Sequence, residues 1–355
     1  MTQLEKGSAL PRSLSSSDRI YLAPLSGRDI SYLYVGLRRS SGEIAFYQAS
    51  LETVRDWARS TVSVQKDVEG QIRYLEAFSK QSTVWGMPSP LIMGIVNVTP
   101  DSFSDGGHFF DAKDASRQVD RLLEEGAHIL DIGGESTRPG ADPVSVQEEL
   151  DRVLPVIEAC RDRNALISID TRKAAVMEAA LNAGAGLVND VTALEYDPGS
   201  LSVVARSDAK LCLMHSSADP KVMQDNPTYD HALFDVIDYL RGRIEVCEQA
   251  GISRSRIAVD PGIGFGKTLE HNLLLLKGLG FFHALGCPVL LGVSRKSFIG
   301  RIDRPGDAQE RIGGSLSALL HGFDCGAQIF RVHDVEATRQ ALAVSAAIEK
   351  TGLKG

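Results

Sequence analysis

LIMGIVNVT (91–99) is an apolar run of strand length that ends in polar side chains, and seven more of the same kind follow it. They are HILDIGG (128–134), ALISIDT (165–171), GLVNDV (186–191), KLCLMH (210–215), IAVDPG (257–262), PVLLGVS (288–294) and AQIFRVHDV (327–335). Between them lie stretches with helical spacing of apolar residues, such as Arg117 to Ala127 and Tyr229 to Ala250. Strand and helix alternating eight times predict an α/β protein, a (β/α)8 TIM barrel. In that fold catalytic groups gather where strands end and the following loops begin. The polar endings here are Asn97, Thr137, Asp170, Asn189, His215, Asp260, Lys296, and Arg331 with His333. All are expected at one mouth.

Working outward, a barrel over residues 89–355 has the roughly 250-residue size of the fold. The N-terminal remainder reads as an extension or small appended domain. Residues 1–18 are polar and Ser-rich, and a disordered tail is expected there. Within the extension, 19–88, the first part (19–48) suggests one or two hairpins. Leu51, Val54, Trp57, Val68, Ile72, Leu75 and Phe78 then fall mostly three or four residues apart, which suggests one or two amphipathic helices. SKQSTVWGMPSP (79–90) reads as a linker into the barrel. No chemistry is visible in this part, which reads as a packing or interaction appendage.

The 355 residues are 43% hydrophobic and 24% charged, ordinary for a globular protein with a sizeable core. A net charge of −8 disfavours non-specific binding to nucleic acid or anionic membranes, while leaving room for a local basic site. Cys160, Cys212, Cys247, Cys287 and Cys325 are scattered, odd in number and form no CxxC pair, as expected in a reducing compartment. With no signal-like start and no apolar run of membrane-spanning length, the cytoplasm is the expected location.

Two loops are long and rich in Gly, Pro and Ser: NVTPDSFSDGGHFFDAKD (97–114) and GGESTRPGADPVSVQEE (133–149). Loops of this kind at a barrel mouth serve as lids or binding loops. Asp170 and Asp260 each end a strand, where a carboxylate is costly unless paired or hydrogen-bonded. One such residue could equally cap a helix, as Asp170-Thr171 could do for a helix starting near Lys173. Two of them, with Asn189 at a third strand end, better suit a flat heterocycle with amino and ring N–H donors. Arg331 and His333 lie two apart on one strand face, in the region where this fold usually binds phosphate. They read as an anion clamp, and Lys296 could reach either heterocycle or anion. Asn97 is compatible with Mg2+ held mostly by water and phosphates, and equally with a turn before Thr99-Pro100. His215 reads as a structural histidine. GIGFGKT (262–268) is not a nucleotide-binding loop, because Pro261 stands where that pattern needs glycine. Its glycines are expected to admit a planar ligand while Phe265 covers a ring face.

Taken together, NVTPDSFSDGG (97–107), DIGGESTRPGA (131–141), SIDTRK (168–173), NDV (189–191), LMH (213–215), DPGIGFGK (260–267), SRKSFIG (294–300) and RVHDV (331–335) resemble the dihydropteroate synthase family of pterin-binding barrels. The resemblance covers residues 91–350 and implies a transferase of folate biosynthesis. In that reaction 4-aminobenzoate displaces pyrophosphate from 6-hydroxymethyl-7,8-dihydropterin diphosphate to give 7,8-dihydropteroate. It implies that Asp170, Asn189, Asp260 and Lys296 hold the pterin, lined by Met214 and Phe265. Asn97, Arg331 and His333 would hold the diphosphate, with Mg2+ as cofactor at Asn97. Thr137, Arg138 and Pro139, with Phe103 and Asp105, would close over the reacting centre. Ser297 would meet the aminobenzoate carboxylate. Asp105, Lys296, Asp170, Thr137 and Arg138 are thereby the catalytic candidates, and a homodimer and a sulfonamide target are implied. Competing readings are a pterin-binding methyltransferase domain, which would not need the Arg331–His333 clamp or Lys296, and a non-catalytic pterin binder.

Overall fold

The computed structural model describes residues 9–11, 13–98, 112–136, 142–217 and 227–351, with residues 112–115 described as backbone only. Eight parallel strands form the main sheet: β6 (Leu91–Asn97), β7 (Ile129–Gly133), β8 (Leu166–Asp170), β9 (Leu187–Asp190), β10 (Lys210–Met214), β11 (Ile257–Asp260), β12 (Leu290–Leu291) and β13 (Ile329–Val332). Their order is β11-β10-β9-β8-β7-β6-β13-β12, and Val259 bridges to Val289 to bring the two ends together into a barrel. Each of the eight apolar runs supplies one strand. The outer helices are α3 (Ala112–Glu125), α4 (Val146–Cys160), α5 (Ala174–Ala183), α6 (Ser200–Ala205), α7 (Ala232–Gln249), α8 (Leu269–Lys277), α9 (Ser297–Ile302), α10 (Ile312–Asp324) and α11 (Val335–Lys350).

Period-two alternation divides each strand between helix layer and barrel lumen. Ile92, Val96, Leu130, Ile132, Ile169 and Phe330 join the large core under the helices. Leu91, Met93, Ile129, Leu187, Cys212, Ala258, Leu290 and Ile329 fill the floor of the lumen. The next inward position up most strands is polar: Asp131 above Ile129, Asn189 above Leu187, Asp260 above Ala258 and Arg331 above Ile329. The polar layer is therefore a direct product of strand alternation over an apolar floor.

Before the barrel come a three-stranded antiparallel sheet, β1 (Arg19–Ser26), β2 (Asp29–Arg38) and β3 (Ile44–Ser50), and two helices, α1 (Leu51–Ser60) and α2 (Val62–Lys80). Ile20, Leu22, Leu33, Val35, Val54, Trp57, Val68, Ile72 and Leu75 make their shared core. Two expectations need correction. Residues 13–18, expected in a disordered tail, are tied down: Leu14 packs on that core, and the Asp18 carboxylate accepts from Ser15 N at 3.0 Å and Ser40 N at 2.9 Å. The expected linker over 79–90 folds into the hairpin β4 (Thr83–Val84) and β5 (Met87–Pro88). Trp85 at φ 52 and Gly86 at φ 84 make the tight two-residue turn that hairpins prefer. Val84, fully buried, joins the lumen floor from below, with Trp85 and Met87 packed beside it.

Candidate active site

Asp131 is the hub of the polar layer. Fully buried on β7, it accepts from Ser168 Oγ at 2.7 Å, Asn189 Nδ2 at 3.2 Å and Arg331 Nε at 2.6 Å. Arg331 reaches on to Asp170, with Nη2 donating to Oδ2 at 2.7 Å. In strand register Asn97 sits beside Gly133, Gly133 beside Asp170, and Asp170 beside Asn189, so the expected residues form one row across four strands. Asp170 does not cap a helix, because the first amide of α5, Ala174 N, donates to Asp197 Oδ2 at 2.9 Å instead. Burial raises the Asp170 carboxyl to about 7; Arg331 opposes this, while Asp131, Glu149 and Asp190 reinforce it.

Across the mouth, Asp260 accepts from Gly262 N at 2.7 Å, and burial holds its carboxyl above the usual range. Lys296 Nζ lies 4.0 Å from the centroid of the Phe265 ring, a cation–π contact. Burial, with Arg331 nearby, lowers the Lys296 ammonium to about 8 despite Asp260 and Asp170. Met214, at the end of β10, stands in register with Asp260. Ser297 opens the six-residue helix α9 and is exposed.

The His333 ring is held by Ser294, the residue that ends the seventh apolar run. Its Nδ1 lies 3.0 Å from Ser294 Oγ, which also accepts from His333 N at 3.2 Å. With that hydroxyl proton given to Nδ1, the free ring nitrogen, Nε2, is assigned as the N–H donor. Burial and Arg295 push the imidazole down to about 4, so His333 offers a neutral N–H rather than a charge. Arg295 is tied to Asp334 through two bonds, of 3.0 and 2.5 Å.

Two glycines of the GIGFGKT segment permit close approach within the chain. A Cβ on Gly262 (φ +69) would lie 1.9 Å from the His215 carbonyl oxygen, and one on Gly264 would lie 3.1 Å from Lys296. Those two glycines bring protein against protein. Lys267 is 1% exposed, its Nζ 3.0 Å from His215 Nδ1 and donating to Phe265 O at 2.9 Å. His215 is thus structural, as its isolated position in the sequence suggested.

Phe103, Asp105, Thr137, Arg138 and Pro139 lie outside the described residues. At the base of the second long loop stands an ion network that sequence reasoning missed. Glu135 accepts from Arg172 Nε at 2.9 Å and Lys173 Nζ at 3.1 Å, and Lys173 also donates to the fully buried Glu149 at 2.5 Å. Asp131 was missed as a role too, although a carboxylate inside the apolar run HILDIGG, two before the strand's end, is a readable sign. No group of three or more His, Cys, Asp or Glu side chains able to hold a metal occurs among the described residues.

The profile of the pterin binding enzyme family matches residues 93–333. The dihydropteroate synthase of Haemophilus influenzae is 49% identical over 257 residues, 72% of this chain and 92% of the relative. Among solved structures, the Xanthomonas albilineans dihydropteroate synthase with 4-aminobenzoic acid superposes with a TM-score of 0.70 at 47% identity, covering 74% of this chain and 94% of that one. The Burkholderia cenocepacia enzyme complexed with 7,8-dihydropteroate gives a TM-score of 0.67 at 43% identity, covering 73% and 91%. By profile, identity and fold alike, this chain belongs to the dihydropteroate synthase family of pterin-binding enzymes.

Proposed function

We propose that the family's reaction, transfer of a dihydropterin methylene from diphosphate to 4-aminobenzoate, is carried here by the polar layer over the barrel floor. The observation that bears most weight is the convergence of Asp131, Asp170, Asn189 and Arg331 in one hydrogen-bonded set. Asp170, Asn189 and Asp260 accept and donate along the amino and ring N–H edge of the pterin. Met214 and Phe265 line its faces, and Lys296 adds a donor at its edge. For the pterin to take Asp170, the Asp170–Arg331 bond gives way. Asp131 retains Arg331 Nε, and the released Nη2 turns to the diphosphate beside the His333 N–H.

The arylamine nitrogen attacks the methylene carbon, the C–O bond to diphosphate breaks, and its electron pair leaves with pyrophosphate. The amine proton then passes to solvent. Arg331 stabilises the departing charge, and the carboxylates of Asp170 and Asp260 offset positive charge gathering on the pterin methylene. Asp105 in the first long loop adds to that. Thr137, Arg138 and Pro139 with Phe103 shield the centre from water. Ser297 receives the aminobenzoate carboxylate. Asn97 offers one neutral oxygen, which suits Mg2+ bound chiefly through water and diphosphate oxygens. When bound, the ion neutralises diphosphate charge. Cytoplasmic location is proposed on the cysteines, which are unpaired and mostly buried. A homodimer is proposed on the exposed apolar residues Ile312, Val344 and Ile348 of α10 and α11.

Purified protein given Mg2+, the dihydropterin diphosphate and labelled 4-aminobenzoate is expected to release pyrophosphate and form dihydropteroate. Lys296→Ala and Arg331→Ala should each cripple that turnover; wild-type rates in both would overturn the assignment.

A further inference from the structure

The N-terminal sheet docks on the barrel at the 3-10 segment Leu279–Leu285, where Tyr34 and Phe46 meet Phe281 at 6.4 and 6.2 Å between ring centroids, and at the start of α7. The Tyr21 ring stacks on Phe234 at 4.0 Å and 5°. Phe46 lies 5.5 Å from Phe234 and 6.1 Å from His231, between ring centroids. Gly36 permits this approach, since a Cβ there would fall 2.6 Å from Phe234 Cζ. Arg38 donates to Asp235 Oδ1 at 2.6 Å and to Asp230 Oδ2 at 3.2 Å. Asp235 in turn accepts from His231 N at 3.0 Å through Oδ2, fixing the entry into the helix.

That entry is not remote from the mouth. Tyr229, one residue before Asp230, donates its hydroxyl to Gly266 O at 2.8 Å. Gly266 lies between Phe265, against which Lys296 rests, and Lys267, which holds His215. A continuous set of directional contacts therefore runs from β2 and β3 to the loop beneath the pterin end of the site. Polar contacts also lie further along α7, where Tyr21 donates to Asp238 at 2.8 Å. At the helix entry an ion pair is set on the very turn that carries Tyr229.

We propose that residues 19–50 form a positioning element for the pterin pocket, acting through Arg38 and Asp235 on Tyr229 and so on the Gly262–Lys267 loop. This rests on the pterin assignment above. Arg38 and Tyr229 are positioning residues: they set the loop and touch no reacting atom.

The test compares Arg38→Ala, Tyr229→Phe and the double variant with wild type. Calorimetric titration with 6-hydroxymethyl-7,8-dihydropterin gives Kd, steady-state kinetics give KM for each substrate, and thermal melts report folding. Each single variant is expected to weaken pterin binding at least threefold and raise KM for the pterin diphosphate to match. KM for 4-aminobenzoate and kcat at saturating pterin should stay within twofold. Because both act along one line, the double variant should bind no more weakly than the weaker single. Asp235→Asn reads the same ion pair from the barrel side should Arg38→Ala fail to fold. Wild-type Kd in a folded Arg38→Ala or Asp235→Asn protein overturns the proposal, as does an equal rise in KM for both substrates. Wild-type protein that binds the pterin yet forms no dihydropteroate would instead defeat the catalytic reading, leaving the binding comparison intact.

Discussion

Replacing Asp131 by Asn tests the polar layer at its centre. The side chain is fully buried and takes three donors: the Ser168 hydroxyl, the Asn189 amide and the Arg331 guanidinium. An amide of the same shape keeps one acceptor oxygen and turns an NH2 group toward a donor. Arg331 loses one of its two carboxylates and keeps Asp170 at 2.7 Å. Removing one partner of a buried ion pair costs about 3–5 kcal/mol, and the surviving Asp170 contact brings the expected loss to about 2–4 kcal/mol. Asn189 also loses the carboxylate that orients it, a charge-assisted bond of about 1.5–3 kcal/mol, so pterin affinity should fall roughly tenfold to a hundredfold. Urea unfolding followed by circular dichroism gives the first quantity, and calorimetric titration with the pterin gives the second. Ser168→Ala is the control, removing one donor while leaving the carboxylate and its ion pair in place, with an expected cost of about 1.5–3 kcal/mol and no loss of the Asn189 contact. If Asp131→Asn unfolds within about 1 kcal/mol of wild type and binds pterin equally well, Asp131 does not organise the site.

The pH profile of kcat/KM for the pterin diphosphate should be a bell. The Asp170 carboxyl, raised to about 7, must be ionised to accept from the pterin, so the rate climbs through that pH; Lys296, lowered to about 8, must be protonated, so it falls above. On stability the raised Asp170 works the other way: the folded protein holds that proton more firmly, so its contribution declines as pH rises from about 4 toward 7. A flat rate profile from pH 6 to 9 would contradict the first assignment. Gly262→Ala should lose more than about 3 kcal/mol of stability or distort the loop, because its Cβ meets a backbone oxygen at 1.9 Å and its φ is +69°; a normally folded, active variant would show that His215 can retreat. Stripping divalent cations should abolish pyrophosphate release and restoring Mg2+ should recover it, whereas full turnover in EDTA would remove the ion from the proposal.

The barrel was legible because period-two strands and turn-punctuated helices leave their rhythm in the chain, and every apolar run became a strand. That the candidate residues at strand ends share one mouth was legible for the same reason: a polar group one alternation above an apolar floor has only the lumen to face. What stayed hidden depends on partners far apart in sequence. Nothing local tells that Arg331 spends its guanidinium on Asp131 and Asp170, or that His333 is kept neutral. Likewise Lys267 looks like a surface cation in GIGFGKT until the fold folds His215 over it. The hairpin at 83–88 was hidden by brevity, since four paired residues around Trp85-Gly86 carry no periodicity.

Val84 and its hairpin stopper the lower end of the barrel. The lumen above it is packed rather than hollow, so the hairpin finishes a floor that the strands already make. A dry base under Asp131 and Arg331 keeps their charges where their mutual attraction is strong, and part of that dryness comes from a turn that precedes every strand of the barrel.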